Sequence, residues 1–140
     1  YEVTEIEIPN TVTSIIYQFY SFDNITSIVI PSSATSIGKA AFAYCSSLES
    51  IVIPPSVTSI GEAAFYGCIA LESLTLPKNV TEIGYSTFFN CKSLTSIIIP
   101  EGVTMIDHHT FNGCEKLTNV SLPEGITKIH VGALEWIFQI

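Results

Sequence analysis

Apolar and polar residues alternate along this chain in short runs that return at a fixed interval. Leu48, Ile51 and Ile53 form one such set, followed by Leu71, Leu74 and Leu76, by Leu94, Ile97 and Ile99, and by Leu117, Val120 and Leu122. Each set runs directly into a proline, at Pro54, Pro77, Pro100 and Pro123. A period of two predicts a strand with one buried face, and proline closes it because it has no N–H to donate to a ladder. A second short element follows, seen in Val57-Thr58-Ser59-Ile60-Gly61 and Val80-Thr81-Glu82-Ile83-Gly84. It predicts another strand, ended by a glycine that allows a turn a side chain would obstruct. Phe42, Phe65, Phe88 and Phe111 come next, with Cys45, Cys68, Cys91 and Cys114 three residues later. The Ala-Phe-x-x-Cys stretch predicts a single helical or 3-10 turn.

The interval is the main result. Pro9, Pro31, Pro54, Pro77, Pro100 and Pro123 are separated by 22 residues once and by 23 thereafter, so the chain is an array of repeats. A unit of this size cannot bury its own apolar face. Stacked on its neighbours it forms a continuous core in which like residues lie on like. The expected architecture is one repeat-solenoid domain, 1–140, of about six coils near 3–24, 25–47, 48–70, 71–93, 94–116 and 117–140. The first coil departs from the pattern, with Ile16 in place of glycine, Asp23 in the Cys column, and Tyr17, Phe19, Tyr20 and Phe22 crowded together. In the last, His130 replaces glycine, Leu134 replaces Phe and Ile137 replaces Cys. Terminal repeats are commonly atypical.

The unit L-x-S-I-x-I-P-x-x-V-T-x-I-G-x-x-A-F-x-x-C resembles the leucine-rich repeat of the BspA type, found in surface proteins of anaerobic bacteria and of trichomonad-like protozoa. The match runs from Val3 to about Leu134. The resemblance implies a β-rich leucine-rich-repeat solenoid of the α/β class, a right-handed superhelix with a parallel sheet on its concave face. It also implies a cell-surface or secreted location and a role in adhesion or host recognition. It carries over no catalytic or binding residues.

Charge narrows the partners. Thirteen Asp and Glu stand against five Lys and no Arg, for a net charge of −8. Phosphate backbones are held by clustered Lys and Arg, so nucleic acid is excluded as a partner. The hydrophobic content of 47% excludes a disordered chain. No run approaches the ~18 apolar residues of a membrane span, so no membrane insertion by this segment is expected. The start at Tyr1, without an initiator Met or a signal-like segment, and the apolar stop at residues 135–140 suggest a piece of a longer protein.

Three features invite a chemical reading. Equivalent cysteines on stacked coils lie ~4.7–4.9 Å apart, within disulfide range, but their side chains point in parallel and no C-x₂₋₄-C pair suggests zinc. They are expected to be free thiols acting as small buried hydrophobes. Asp107-His108-His109 is the only run resembling a catalytic or metal group. Adjacent residues on extended chain point opposite ways, and no third His is near in sequence, so a solvated turn at the outer edge is expected. Several carboxylates would have to converge for calcium, and none do. No nucleophile motif or phosphate loop is present, so the expectation is no enzyme, no cofactor and no metal site.

The third feature is the outward-facing pair of columns on the first strands, Glu5, Ser27, Ser50, Ser73, Ser96, Asn119 and Glu7, Val29, Val52, Thr75, Ile98, Ser121. The strip is hydroxyl-rich and almost uncharged. Such residues suit any sheet surface, yet exposed apolar patches also mark docking sites. Ser27, Val29, Ser50, Val52, Ser73, Thr75, Ser96 and Ile98 are therefore the candidate contacts for a protein or glycan macromolecule, host extracellular matrix included. The alternative function is a structural spacer or stalk that presents another domain. Asn24, Asn79 and Asn119 lie in N-x-[ST] sequons, usable as glycan acceptors in a secreted eukaryotic protein.

Overall fold

The computed structural model describes residues 4–134. Among these, short parallel strands stack coil upon coil along two sides of the array. On the first side lie β1 (Glu5–Glu7), β3 (Ser27–Val29), β5 (Ser50–Val52), β8 (Ser96–Ile98) and β10 (Asn119–Ser121). On the second lie β2 (Ser14–Ile15), β4 (Ser36–Ile37), β6 (Ser59–Ile60), β7 (Glu82–Ile83), β9 (Met105–Ile106) and β11 (Lys128–Ile129). Registers follow the repeat, with Ser27 opposite Ser50, Ser59 opposite Glu82 and Lys128 opposite Met105. Threonines entering the second strands reinforce the pairing. The hydroxyls of Thr35, Thr58 and Thr127 donate to the carbonyls of Thr13, Thr35 and Thr104, at 3.2–3.4 Å.

The third side is not helical. Its expected helical or 3-10 turn is replaced by a staircase of turns in which successive N–H groups alternate in direction. In the second coil, the N–H groups of Ala41, Ala43 and Cys45 bond back three residues, to Gly38, Ala40 and Phe42. Those of Ala40, Phe42 and Tyr44 bond to the carbonyls of Glu62, Ala64 and Tyr66 on the next coil, at 2.6–2.9 Å. The cause lies in two columns of left-handed residues per coil. One is Tyr17, Ala40, Ala63, Ser86, His109 and Gly132; the other is Ser21, Tyr44, Gly67, Asn90 and Gly113. A positive φ every fourth residue breaks any helix and turns alternate N–H groups along the axis.

This third ladder also settles the alignment of the first coil. Tyr17 N–H bonds to Lys39 and Phe19 N–H to Ala41, just as Ala40 bonds to Glu62 and Phe42 to Ala64. Tyr17 is thus the equivalent of Ala40, and the residue missing from the first coil is the counterpart of Lys39. Phe22, not Asp23, therefore stands in the cysteine column.

The core consists of the expected columns. Phe19, Phe42, Phe65, Phe88 and Phe111 stack with centroids 5.3–5.8 Å apart and ring planes within 12°. Leu48, Leu71, Leu94 and Leu117 are buried beside them. The glycine after the second strand has a reason other than turn formation. Gly38, Gly61 and Gly84 have no left-handed φ, but a Cβ on Gly61 would lie 2.8 Å from the carbonyl carbon of Gly38, and one on Gly84 would lie 2.4 Å from Glu62 N. Backbone packs on backbone in this column.

Two interruptions fall close together. On the first side Ser73–Leu76 forms no strand pairs, so β5 and β8 end separate sheets. On the second, β7 closes one sheet and β9 opens another. That break coincides with Asp107, which carries a side chain in the glycine column.

Candidate interaction surface

Alternation along each first strand puts one column into the core and its neighbours into solvent. Ile28, Ile51 and Ile97 point inward and are buried. Val29, Val52 and Ile98, one residue further on, are 61%, 60% and 72% exposed. Ser50, Ser73, Thr75 and Ser96 are exposed as well, and Ser27 is half-buried. The structure thus brings all eight candidate residues to one face. Six of them sit on paired strands; Ser73 and Thr75 continue the face on the unpaired segment.

Charge lies at the margins of this face. Glu5 and Glu7 mark its beginning, and exposed Glu49 and Glu72 flank it one position before the strands. Between β3 and β10 the two columns carry no ionisable side chain. Acidic charge elsewhere is partly engaged. Lys39 approaches Glu62 at 3.8 Å, and that carboxylate raises the Lys39 pKa. The Tyr85 hydroxyl donates to the other Glu62 oxygen, which raises its own pKa.

The four cysteines are free and buried. Each Sγ reaches the carbonyl of a phenylalanine one coil back, Cys68 to Phe42 and Cys91 to Phe65 among them, at 3.0–3.2 Å. Burial pushes the thiols up, Cys45 to about 11 and Cys114 to about 12. A thiol that stays protonated is a weak nucleophile, so this column is packing.

At the far end of the array the structure adds a residue to the Asp107-His108-His109 run. His130, from the next coil, stacks on His108 with centroids 4.3 Å apart, so a histidine that is distant in sequence is near in space. His130 occupies the same column as Asp107, one period later, so the repeat held the signal. His108 Nδ1 lies 2.9 Å from Asp107 Oδ1. Burial pushes the Asp107 carboxyl up, but hydrogen bonds from the His108 ring and N–H outweigh it and hold the group below its ordinary range. Among the described residues, no group of three His, Cys, Asp or Glu side chains is placed to hold a metal ion.

A β-rich array of short parallel strands, with Leu, Ile, Phe and Cys columns as its core and a leucine-rich consensus, defines a leucine-rich-repeat solenoid. The BspA-type leucine-rich repeat model matches in six copies, over residues 1–46 and 16–138. The chain belongs to that family. Among solved structures it is similar to a leucine-rich cell surface protein of Faecalibacterium prausnitzii, with 35% identity and a TM-score of 0.82 over 86% of this chain and 32% of that one. It is also similar to a leucine-rich repeat protein of T. pallidum, at 26% identity and a TM-score of 0.68, covering 90% of this chain and 73% of that one. The pneumococcal vaccine antigen PcpA shares the fold at 22% identity and a TM-score of 0.71, over 99% of this chain and 33% of that one. The chain therefore spans about a third of the F. prausnitzii protein's length. Among curated proteins none matches. No helix among the described residues is long and apolar enough to cross a membrane.

Proposed function

We propose that this chain is a non-enzymatic interaction module of a surface or secreted protein, which recognises a protein or glycan partner through the exposed face of its first sheet. One observation carries the reading: Val29, Val52 and Ile98 stand out of an otherwise hydroxyl-lined, uncharged strip on a rigid scaffold. Water is readily displaced from such a surface, and a stiff array offers many weak contacts without an ordering cost. The surface assignment is supported by the name of the F. prausnitzii relative. Host matrix proteins and cell-surface glycans are the partner classes to test first.

The test is a binding screen of the purified chain against those two classes, followed by the double variant Val52→Lys/Ile98→Lys. A central contact is worth ~1.4 kcal/mol or more, so affinity falls at least about tenfold while the urea unfolding curve stays unchanged. Undiminished binding by the variant refutes the site. Absence of any partner across the screen favours a spacer that holds another domain in place.

A further inference from the structure

One column beside the candidate face departs from its own pattern. Thr4, Thr26, Glu49, Glu72, Thr95 and Thr118 stand one position before the first-side strand positions of successive coils. Backbone bonds keep them in register: Thr26 N–H donates to Thr4, Glu49 to Thr26, Glu72 to Glu49, Thr95 to Glu72 and Thr118 to Thr95, at 2.9–3.4 Å. Threonine serves on either side, and two carboxylates sit on adjacent coils in the middle. Like charges directly opposite one another destabilise a ladder, so packing gives no reason for the exchange. Both side chains are exposed. Ion pairs among the described residues join Lys39 to Glu62 and His108 to Asp107, so no described cation pairs with Glu49 or Glu72. The pair borders the centre of the apolar strip, with Val52 on the coil of Glu49, and Val29 and Ile98 one coil beyond on either side.

We propose that the partner of this face is a basic protein segment, whose Lys or Arg side chains meet Glu49 and Glu72 while its apolar side chains cover Val29, Val52 and Ile98. This rests on the interaction face proposed above and narrows its partner. A neutral glycan brings no cation, and a sulfated or sialylated one brings like charge to a chain of net charge −8. A basic segment relieves the repulsion as it docks: the two carboxylates oppose each other in the free chain and are matched in the complex. Complementary charge at the rim of an apolar contact also steers association.

Surface plasmon resonance on the intact chain tests this with three probes: an amphipathic peptide of Leu and Lys, the same peptide with Glu for every Lys, and a heparin oligosaccharide. The Leu–Lys peptide is expected to bind and the two anionic probes are not. Glu49→Gln/Glu72→Gln weakens that binding about fivefold, mainly through the association rate, and high salt erases the difference. Its urea midpoint is at or above that of the wild type, because a repulsion is gone. Glu82→Gln/Glu115→Gln removes the same charge away from the face and leaves the affinity unchanged. An equal loss in that control, binding of either anionic probe, or no binding of the Leu–Lys peptide overturns the proposal. Val52→Ser/Ile98→Ser separates it from the reading beneath it. Binding lost there but kept in Glu49→Gln/Glu72→Gln overturns the basic partner and leaves the face standing, whereas binding that ignores Val52 and Ile98 overturns the face as well.

Discussion

Gly84→Ala separates a glycine needed for its backbone freedom from one needed for its size. At residue 84 the new Cβ sits 2.4 Å from Glu62 N, where ordinary contact begins at 3.4 Å, so the coils must part by about 1 Å. The neighbour is backbone and cannot swing aside. Parting stretches the 2.8 Å bond from Gly84 N–H to Ile60 to about 3.8 Å, beyond hydrogen-bond range. Losing it and loosening the Ser59 to Glu82 pairing costs ~0.5–1.5 kcal/mol each, and overpacking adds ~1–3 kcal/mol. The stiffer unfolded chain returns ~0.4–1 kcal/mol, leaving a net loss of ~1–6 kcal/mol, centred at about 3 kcal/mol. Gly125→Ala is the control, because its Cβ meets nothing closer than 3.9 Å, and it is expected to be neutral or stabilising by a few tenths of a kcal/mol. The array carries its own precedent: Asp107 fills this column where the second sheet breaks. His130 fills it too, above Asp107, and keeps its 2.9 Å bond to Ile106. Urea midpoints read the difference, and a Gly84→Ala chain as stable as wild type would refute the size argument.

Two further outcomes follow from the core. Phe65→Ala, with rings stacked at 5.5 and 5.8 Å on either side, is expected to cost ~3–5 kcal/mol in the same urea assay, and a loss below 1 kcal/mol contradicts the stack. The thiols make the fold alkali-sensitive. Their folded pKa values are raised, to about 11 for Cys45 and about 12 for Cys114, whereas an unfolded thiol titrates near ~8.5. Unfolding therefore releases protons above that pH, and stability falls between about pH 8.5 and pH 12 by up to ~1.4 kcal/mol per pH unit per thiol. Cys68→Ala/Cys91→Ala should flatten the decline by two thiols' worth, measured as urea midpoints at successive pH values; an unchanged slope assigns the decline to tyrosine.

The prolines and the Leu-x-x-Ile-x-Ile alternation make the period, the two strand positions and the Leu, Ile, Phe and Cys columns readable from sequence, because each is chosen by burial, although the Ser73–Leu76 segment stays unpaired and Phe22 takes the place read for Asp23. The candidate face was readable for the same reason, as what remains when inward positions are removed. Positions chosen by backbone conformation were not readable. Ala40, Ala63, Ser86 and His109 share a left-handed φ but no chemistry, so nothing in the sequence separates the turn staircase from a helical turn. The gap in the first coil could be placed only by the hydrogen bonds of Tyr17 and Phe19. The proximity of His130 to His108 follows from the period, not from separation along the chain.

Both interruptions, the unpaired Ser73–Leu76 segment and the break between β7 and β9, fall on the fourth coil and its junction with the fifth. Across that junction the turn staircase continues, with Ser86 bonded to His108, Phe88 to Thr110 and Asn90 to Asn112. Mechanically this is a spine whose strand rails thin at one junction, with Thr95 N–H to Glu72 still crossing on the first side. The buried phenylalanine column runs through the junction unbroken, Phe65 on Phe88 and Phe88 on Phe111, so core packing and the staircase, rather than strand pairing, hold the fourth coil to the fifth. A partner that spans the candidate face would cross a stretch held together by its core instead of by its ladder.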